Sequence, residues 1–165
     1  MIVYLYTMQT FLPYIDFEKS AQVLDYRRLG KQRVEAQQIL NLLMDPTLKS
    51  RWRSHPCVAM WTGYEEALKK YITVMIREWV KRGYKNTMNT YDIQSNIEYP
   101  WWLGVEKFHR AMRSRLIVKQ PEIYRHRFPE DEGYNEGLYW WPTNETRTFR
   151  LIVDKKKPGA KRVGN

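Results

Sequence analysis

The most regular stretch of the chain runs from Ser20 to about Leu43, where Val23, Tyr26, Leu29, Val34, Ala36 and Leu40 share one arc at 100° per residue. That spacing predicts one long helix with its apolar side turned inward. The opposite arc carries Asp25, Arg28, Gln32 and Glu35 at steps of three, four and three, which stacks them along a single line. A line of charged and amide residues is ordinarily a solvated face. Further on, Pro56 is suited to open a helical turn leading to Met60-Trp61, and Thr62-Gly63-Tyr64-Glu65 has the form of a capping box. Leu68, Tyr71, Ile72, Met75 and Trp79 then make an amphipathic stripe, with Lys81 and Arg82 in the last turn and Gly83 placed for a left-handed cap.

Residues 84–100 hold Asn86, Asn89 and Asn96 and show no period, so they predict a long loop. A third helix is expected from Val105 to about Lys119, with Phe108, Met112 and Leu116 inward and His109, Arg110, Arg113 and Arg115 on a basic face. Pro121 ends it. A turn over Glu122 to Arg127 and the aromatic run Tyr139-Trp140-Trp141-Pro142 close the core. Ile2 to Tyr6 and Thr146 to Val153 are rich in β-branched and aromatic residues, so the two ends either pair as a small sheet or extend as arms. The expected fold is mainly α, a compact helical bundle over residues 1–154 followed by a flexible basic tail over 155–165.

Length agrees, since 165 residues suffice for one core. Charge narrows the partner. There are 28 Lys and Arg against 18 Asp and Glu, a net +10 of the kind that suits a polyanion. Lys155, Lys156, Lys157, Lys161 and Arg162 follow the last acid, Asp154, and carry half of that excess; the remainder belongs to the folded part. Cys57 is the single cysteine, which excludes an internal disulfide and fits a reducing compartment. His55, His109 and His126 are too far apart in sequence for a local metal motif, and neither metal nor cofactor is expected. The longest apolar run is too short for a membrane span, and the start reads neither as a basic leader nor as a cleavage site.

Chemistry by motif is sparse. The sequence has no Gly-rich phosphate loop, no nucleophile elbow and no His-Glu-x-x-His, which removes triphosphatase, serine hydrolase and zincin readings. Aromatics lie beside cations at Arg51-Trp52-Arg53, Trp101-Trp102 and Tyr124-Arg125, a composition suited to phosphates and unstacked bases. Trp61, Trp79 and Trp140 are individually better explained as core. Glu35 stands on the same line as Arg28, Gln32 and the nearby Lys31, whose charge favours its ionised form. Such a carboxylate either stabilises a cationic sugar carbon, as in glycosidic cleavage, or simply pairs with a neighbouring cation.

Several blocks resemble a bacterial and phage family of pyrimidine-dimer DNA glycosylases: Met8-Gln9-Thr10-Phe11-Leu12-Pro13-Tyr14, Leu24 to Glu35, Ser54-His55-Pro56, Met60-Trp61, Gly63-Tyr64-Glu65, Trp102-Leu103-Gly104 and His109-Arg110. More distantly, Asp25-Tyr26-Arg27-Arg28-Leu29 and Lys81-Arg82-Gly83-Tyr84 resemble helices of the phage endonuclease V type. The resemblance implies a compact helical fold, double-stranded DNA as partner, extrusion of a nucleotide, and base release with nicking at the abasic site. Three features depart from that pattern. Arg28 stands where the endonuclease V type carries its catalytic glutamate, and Met112 replaces the second histidine usual in the third helix. The endonuclease V type attacks through an N-terminal threonine amine, whereas Thr10 is internal here and has no free α-amine.

On this reading Glu35 takes the carboxylate role and Lys31 is the candidate amine, with Arg28 beside them. Arg27, Arg28, Lys31, Gln32, His55, His109, Arg110 and Arg113 grip DNA. A monomer in the cytoplasm, nucleoid or on viral DNA is expected. The alternative is a catalytically inactive DNA-binding protein of the same fold, used in packaging or in the virion.

Overall fold

The computed structural model describes residues 8–151. Its helices are α1 (Phe17–Val23), α2 (Tyr26–Met44), α3 (Pro56–Ala59), α4 (Glu65–Lys81), α5 (Glu106–Lys119) and α6 (Pro121–Tyr124), followed by an antiparallel hairpin of β1 (Trp140–Thr143) and β2 (Thr148–Leu151). The fold is mainly α, as the periodicity implied. The strand expected at Ile2 to Tyr6 and the basic tail lie outside the described residues. Within them, the late strand takes Trp140–Thr143 as its partner.

The predicted helix from Ser20 is two helices. Leu24 is extended, and Asp25 caps α2 by accepting from the Arg28 N–H. Three groups stabilise the break. Arg82 donates to the carbonyls of Ala21, Gln22 and Leu24, Arg127 donates to Val23, and the Tyr124 hydroxyl donates to the Asp25 carboxylate while accepting from its N–H. Carbonyls that a continuous helix would satisfy are met by guanidinium groups instead.

The start of α4 also differs. Tyr64 is its N-cap without a side-chain bond, and Glu65 accepts from Gly63 N–H, so the Thr62 capping box does not form. Its end follows expectation: Gly83 at φ +91° allows Gly83 N–H to reach Val80 and Tyr84 N–H to reach Trp79.

The core lies where α2 and α1 cross α4, and α5 closes it with β1. Trp61 and Trp102 meet edge to face at 5.1 Å in its centre, with their N–H groups bonded to Thr10 and Met60. Into this core runs the extended segment from Met8 to Pro13. Among the described residues no strand lies beside its backbone, which is satisfied by side chains: Gln32 takes Phe11 N–H and gives to Gln9 C=O, Tyr71 gives to Phe11 C=O, and Arg113 gives to Pro13 C=O. Among the described residues no helix is long and apolar enough to cross a membrane.

Candidate active site

The α2 line of Asp25, Arg28, Gln32 and Glu35 is no open solvated face. Gln32 is 1% exposed and Glu35 is half-buried, whereas Tyr26 and Val34, placed on the apolar arc by residue type, are 49% and 45% exposed. The Gln32 amide explains this rotation. Its Oε1 accepts from Phe11 N–H (2.8 Å) and the Tyr71 hydroxyl (2.6 Å), and its Nε2 donates to Gln9 C=O (2.9 Å) and Glu35 Oε2 (3.3 Å). With both ends of the amide satisfied, it can sit in the core.

Glu35 therefore borders the core on one side and a cavity on the other. A hollow of about 490 Å³ is lined by Arg27, Arg28, Lys31, Gln32 and Glu35 of α2, by Phe11, and by Lys119 and Gln120 at the end of α5. A second hollow of about 430 Å³ lies further along α2 between Met8, Gly30, Val34, Gln38, Arg51 and Trp52. Lys31 and Glu35 line both and form the ridge between them. Among the described residues Glu35 is the one acid on either lining, against Arg27, Arg28, Lys31, Arg51 and Lys119. A trough of one sign with apolar walls focuses field onto whatever enters it.

Burial raises the Glu35 pKa above the ordinary glutamate value; the Gln9 N–H (3.1 Å to Oε2) and the charges of Lys31 and Lys119 pull it down without cancelling that effect. Lys31 favours the ionised form, as its position beside Glu35 implied, while desolvation is the larger effect on the shift. Both of the carboxylate's hydrogen bonds fall on Oε2, and among the described residues Oε1 takes part in none. Behind Glu35, burial pushes the Cys57 thiol up to about 12, so it stays protonated beside Thr10.

Arg28 is fixed rather than free. Its Nη1 donates to Asp25 Oδ1 (3.1 Å) and Gln120 Oε1 (2.7 Å), tying the start of α2 to the end of α5. Burial works to raise the Asp25 pKa, but the Tyr124 hydroxyl and Arg28 outweigh it and leave the carboxylate lowered. His55 caps α3 by accepting from Cys57 N–H (3.0 Å) and meets Trp52 and Trp141 edge to face. It does not line either hollow, although Trp52, which it meets, lines the second.

The structure does not bring the other three expected DNA contacts to the trough. His109 is 2% exposed and spans Leu12 C=O and Gly104 N–H. Arg110 and Arg113 both donate to the buried Asp131, and Arg113 also reaches Glu106 and Pro13. Their charges hold the Pro129–Asp131 turn and the Met8 to Pro13 segment to α5. The third helix reaches the trough through its other end, at Lys119. Sequence spacing did not single that residue out, because an isolated lysine before Gln120-Pro121 looks like an ordinary helix terminus.

A helical scaffold carrying a cationic trough around one carboxylate defines a class of protein suited to a phosphodiester strand. The family model for pyrimidine dimer DNA glycosylase matches residues 8–92, just over half of the chain, and the chain belongs to that family. The matched span contains Arg27, Arg28, Lys31, Gln32, Glu35 and His55, and ends before α5. No curated protein and no solved structure matches the chain. DNA as substrate follows at the level of the family.

Proposed function

We propose that this protein is a DNA N-glycosylase that releases a damaged or modified base, such as a pyrimidine dimer, after its nucleotide is turned out of duplex DNA. The supporting observation is the setting of Glu35: a half-buried carboxylate whose Oε1 takes part in no hydrogen bond among the described residues, on the wall of a hollow whose other charged lining residues are cations. As the C1′–N bond breaks, its electron pair leaves with the base and positive charge develops at C1′ and the ring oxygen. An ionised Glu35 opposes that charge and accepts the proton of the water that adds to C1′. Arg27, Arg28 and Lys31 hold phosphates on either side, while Gln32 fixes the carboxylate. Because burial raises the Glu35 pKa, activity on acidification fades above the ordinary glutamate range.

A binding protein without chemistry is the second reading. It draws on the two hydrogen bonds that Oε2 already receives, which give Glu35 a structural task, and on Arg28 at the position of the endonuclease V glutamate. Glu35→Gln separates the two, since the amide keeps an oxygen for Gln9 N–H while losing the charge. Base release from ultraviolet-irradiated duplex is expected to fall by about 100-fold or more, with binding nearly intact. Undiminished release removes Glu35 from the chemistry, and no release from the unaltered protein leaves the binding reading.

A further inference from the structure

Two amide side chains stand on the 490 Å³ hollow, and they differ in what they leave unused. Gln32 has both ends engaged by Phe11, Tyr71, Gln9 and Glu35. Gln120 is engaged at one end: its Oε1 accepts from Arg28 Nη1 at 2.7 Å, and among the described residues its Nε2 takes part in no hydrogen bond. A guanidinium can only donate, so this amide cannot turn over without setting its NH2 against an N–H. The unused end is therefore the donor end.

The amide is also held in place. Gln120 stands between α5 and Pro121 with φ −149° and ψ 75°, because a residue before proline is kept out of the helical region. Its N–H donates to Leu116 C=O, and its own C=O accepts from the N–H groups of Ile123 and Tyr124. Arg28 gives one Nη1 hydrogen to Gln120 and the other to Asp25, whose carboxylate is fixed in turn by the Tyr124 hydroxyl. A line of partners running from α6 through the start of α2 thus sets the end that Gln120 has to offer.

We propose that Gln120 is a specificity-determining residue, donating through Nε2 to the oxygen on C4 of a pyrimidine in this hollow, so that thymine and uracil are favoured over cytosine. The inference rests on the glycosylase reading above and narrows its substrate to 4-oxo pyrimidines. Arg28 and Glu35 are seven residues apart on one side of α2, about 10.5 Å along the helix axis. With C1′ at Glu35, a base lying toward Arg28 turns its far end to Gln120, and the group on C4 is the one furthest from C1′. O4 of thymine or uracil accepts a hydrogen bond, whereas N4 of cytosine donates. Two donors face to face leave both without a partner, and a site built around a hydrogen bond rejects a mismatched analogue more sharply than an apolar wall does. The cations of the lining cannot rescue the amine, since Arg27, Arg28, Lys31 and Lys119 also only donate.

The test offers the full chain a duplex with one cytosine–cytosine photodimer, and the same duplex after both cytosines of the dimer are deaminated to uracil, each annealed opposite its pairing bases. Equilibrium binding and base release are measured for both. Gln120→Glu keeps an oxygen for Arg28 and turns the donor end into an acceptor. It should lower the preference for the uracil dimer over the cytosine dimer by about 10-fold or more, and Gln120→Met, which offers neither donor nor acceptor hydrogen-bonding of that kind, should fall between. The added charge of the first variant and the pairing differences between the duplexes act on both arms alike and cancel in the ratio. A merely structural role would weaken both duplexes equally, so a ratio that ignores Gln120, or one that moves toward uracil, overturns the proposal. A binding ratio that follows Gln120 with no base released from either duplex would sink the glycosylase reading and leave Gln120 standing, and base release with an indifferent ratio would do the reverse.

Discussion

Gln32 and His109 show at single residues what pattern alone misreads. Both are polar, both stand on arcs that composition marks as outward, and both are buried because partners from distant chain segments complete their hydrogen bonds. Those partners, Phe11 N–H and the Tyr71 hydroxyl for one, Leu12 C=O and Gly104 N–H for the other, have no trace in local spacing. His109 yields a pH prediction. Gly104 N–H can only donate, so Nε2 accepts and Nδ1 carries the proton toward Leu12 C=O; a second proton would find no acceptor. Burial lowers the His109 pKa from the ordinary value, helped by Arg113 and opposed by the Leu12 bond. Below about pH 6.5 the unfolded chain takes up a proton that the folded chain refuses. The stability His109 contributes is therefore full above that pH and lost as pH falls through the depressed folded value. Urea unfolding of the unaltered protein and of His109→Gln from about pH 7.5 to 5 should show their difference shrinking on acidification. A difference independent of pH would mean that the ring takes up its proton equally well in the folded and the unfolded chain.

Helices were legible wherever one face is uniformly apolar. The stripe through Leu68, Tyr71, Ile72 and Met75 and the row Phe108, Met112, Leu116 are buried as spaced, and Gly83 ends α4 with the two bonds expected of a left-handed cap. The break at Leu24 was not legible, since it depends on Arg82 and Arg127 reaching back from more than fifty residues away. Gly30 is a further case of tertiary context overriding propensity. In the middle of α2 it costs about 1 kcal/mol relative to alanine. Yet a Cβ there would stand 2.9 Å from Cζ3 and 3.1 Å from Cη2 of Trp79. That indole is held by its N–H on Lys85 C=O, by Tyr84 stacked at 4.3 Å and by Arg33 at 4.2 Å, so it has little room to yield. Overpacking of this kind costs about 1–3 kcal/mol, which exceeds the propensity gain. Gly30→Ala is expected to lose about 1 kcal/mol net and to melt about 2–4 °C lower. A variant that melts higher would show that α2 and α4 can separate slightly without penalty.

Across the whole molecule, three sets of cations stand apart by where they lie and what they meet. Arg82, Arg110, Arg113 and Arg127 hold backbone and buried carboxylates together; Arg27, Arg28, Lys31, Arg51 and Lys119 line the trough; the five tail cations after Asp154 lie outside the described residues. Net charge alone could announce a polyanionic partner, but it could not make this division, because a guanidinium paired with Asp131 counts the same as one facing a cavity. Salt dependence can make it. Each phosphate neutralised on duplex DNA contributes about −0.9 to the slope of log K against log salt, so five trough cations predict a slope of about −4.5. Neutralising the tail should leave at least that slope, and whatever the full chain shows beyond it belongs to the tail. Arg51→Ala should remove about 0.9 from the slope at little cost in stability. Arg113→Ala should do the opposite, weakening the fold because the buried Asp131 keeps Arg110 alone as its ion-pair partner, while leaving the slope where it was. If Arg113→Ala flattened the slope and Arg51→Ala did not, the DNA path would run over α5 and the trough around Glu35 would not be where the strand lies.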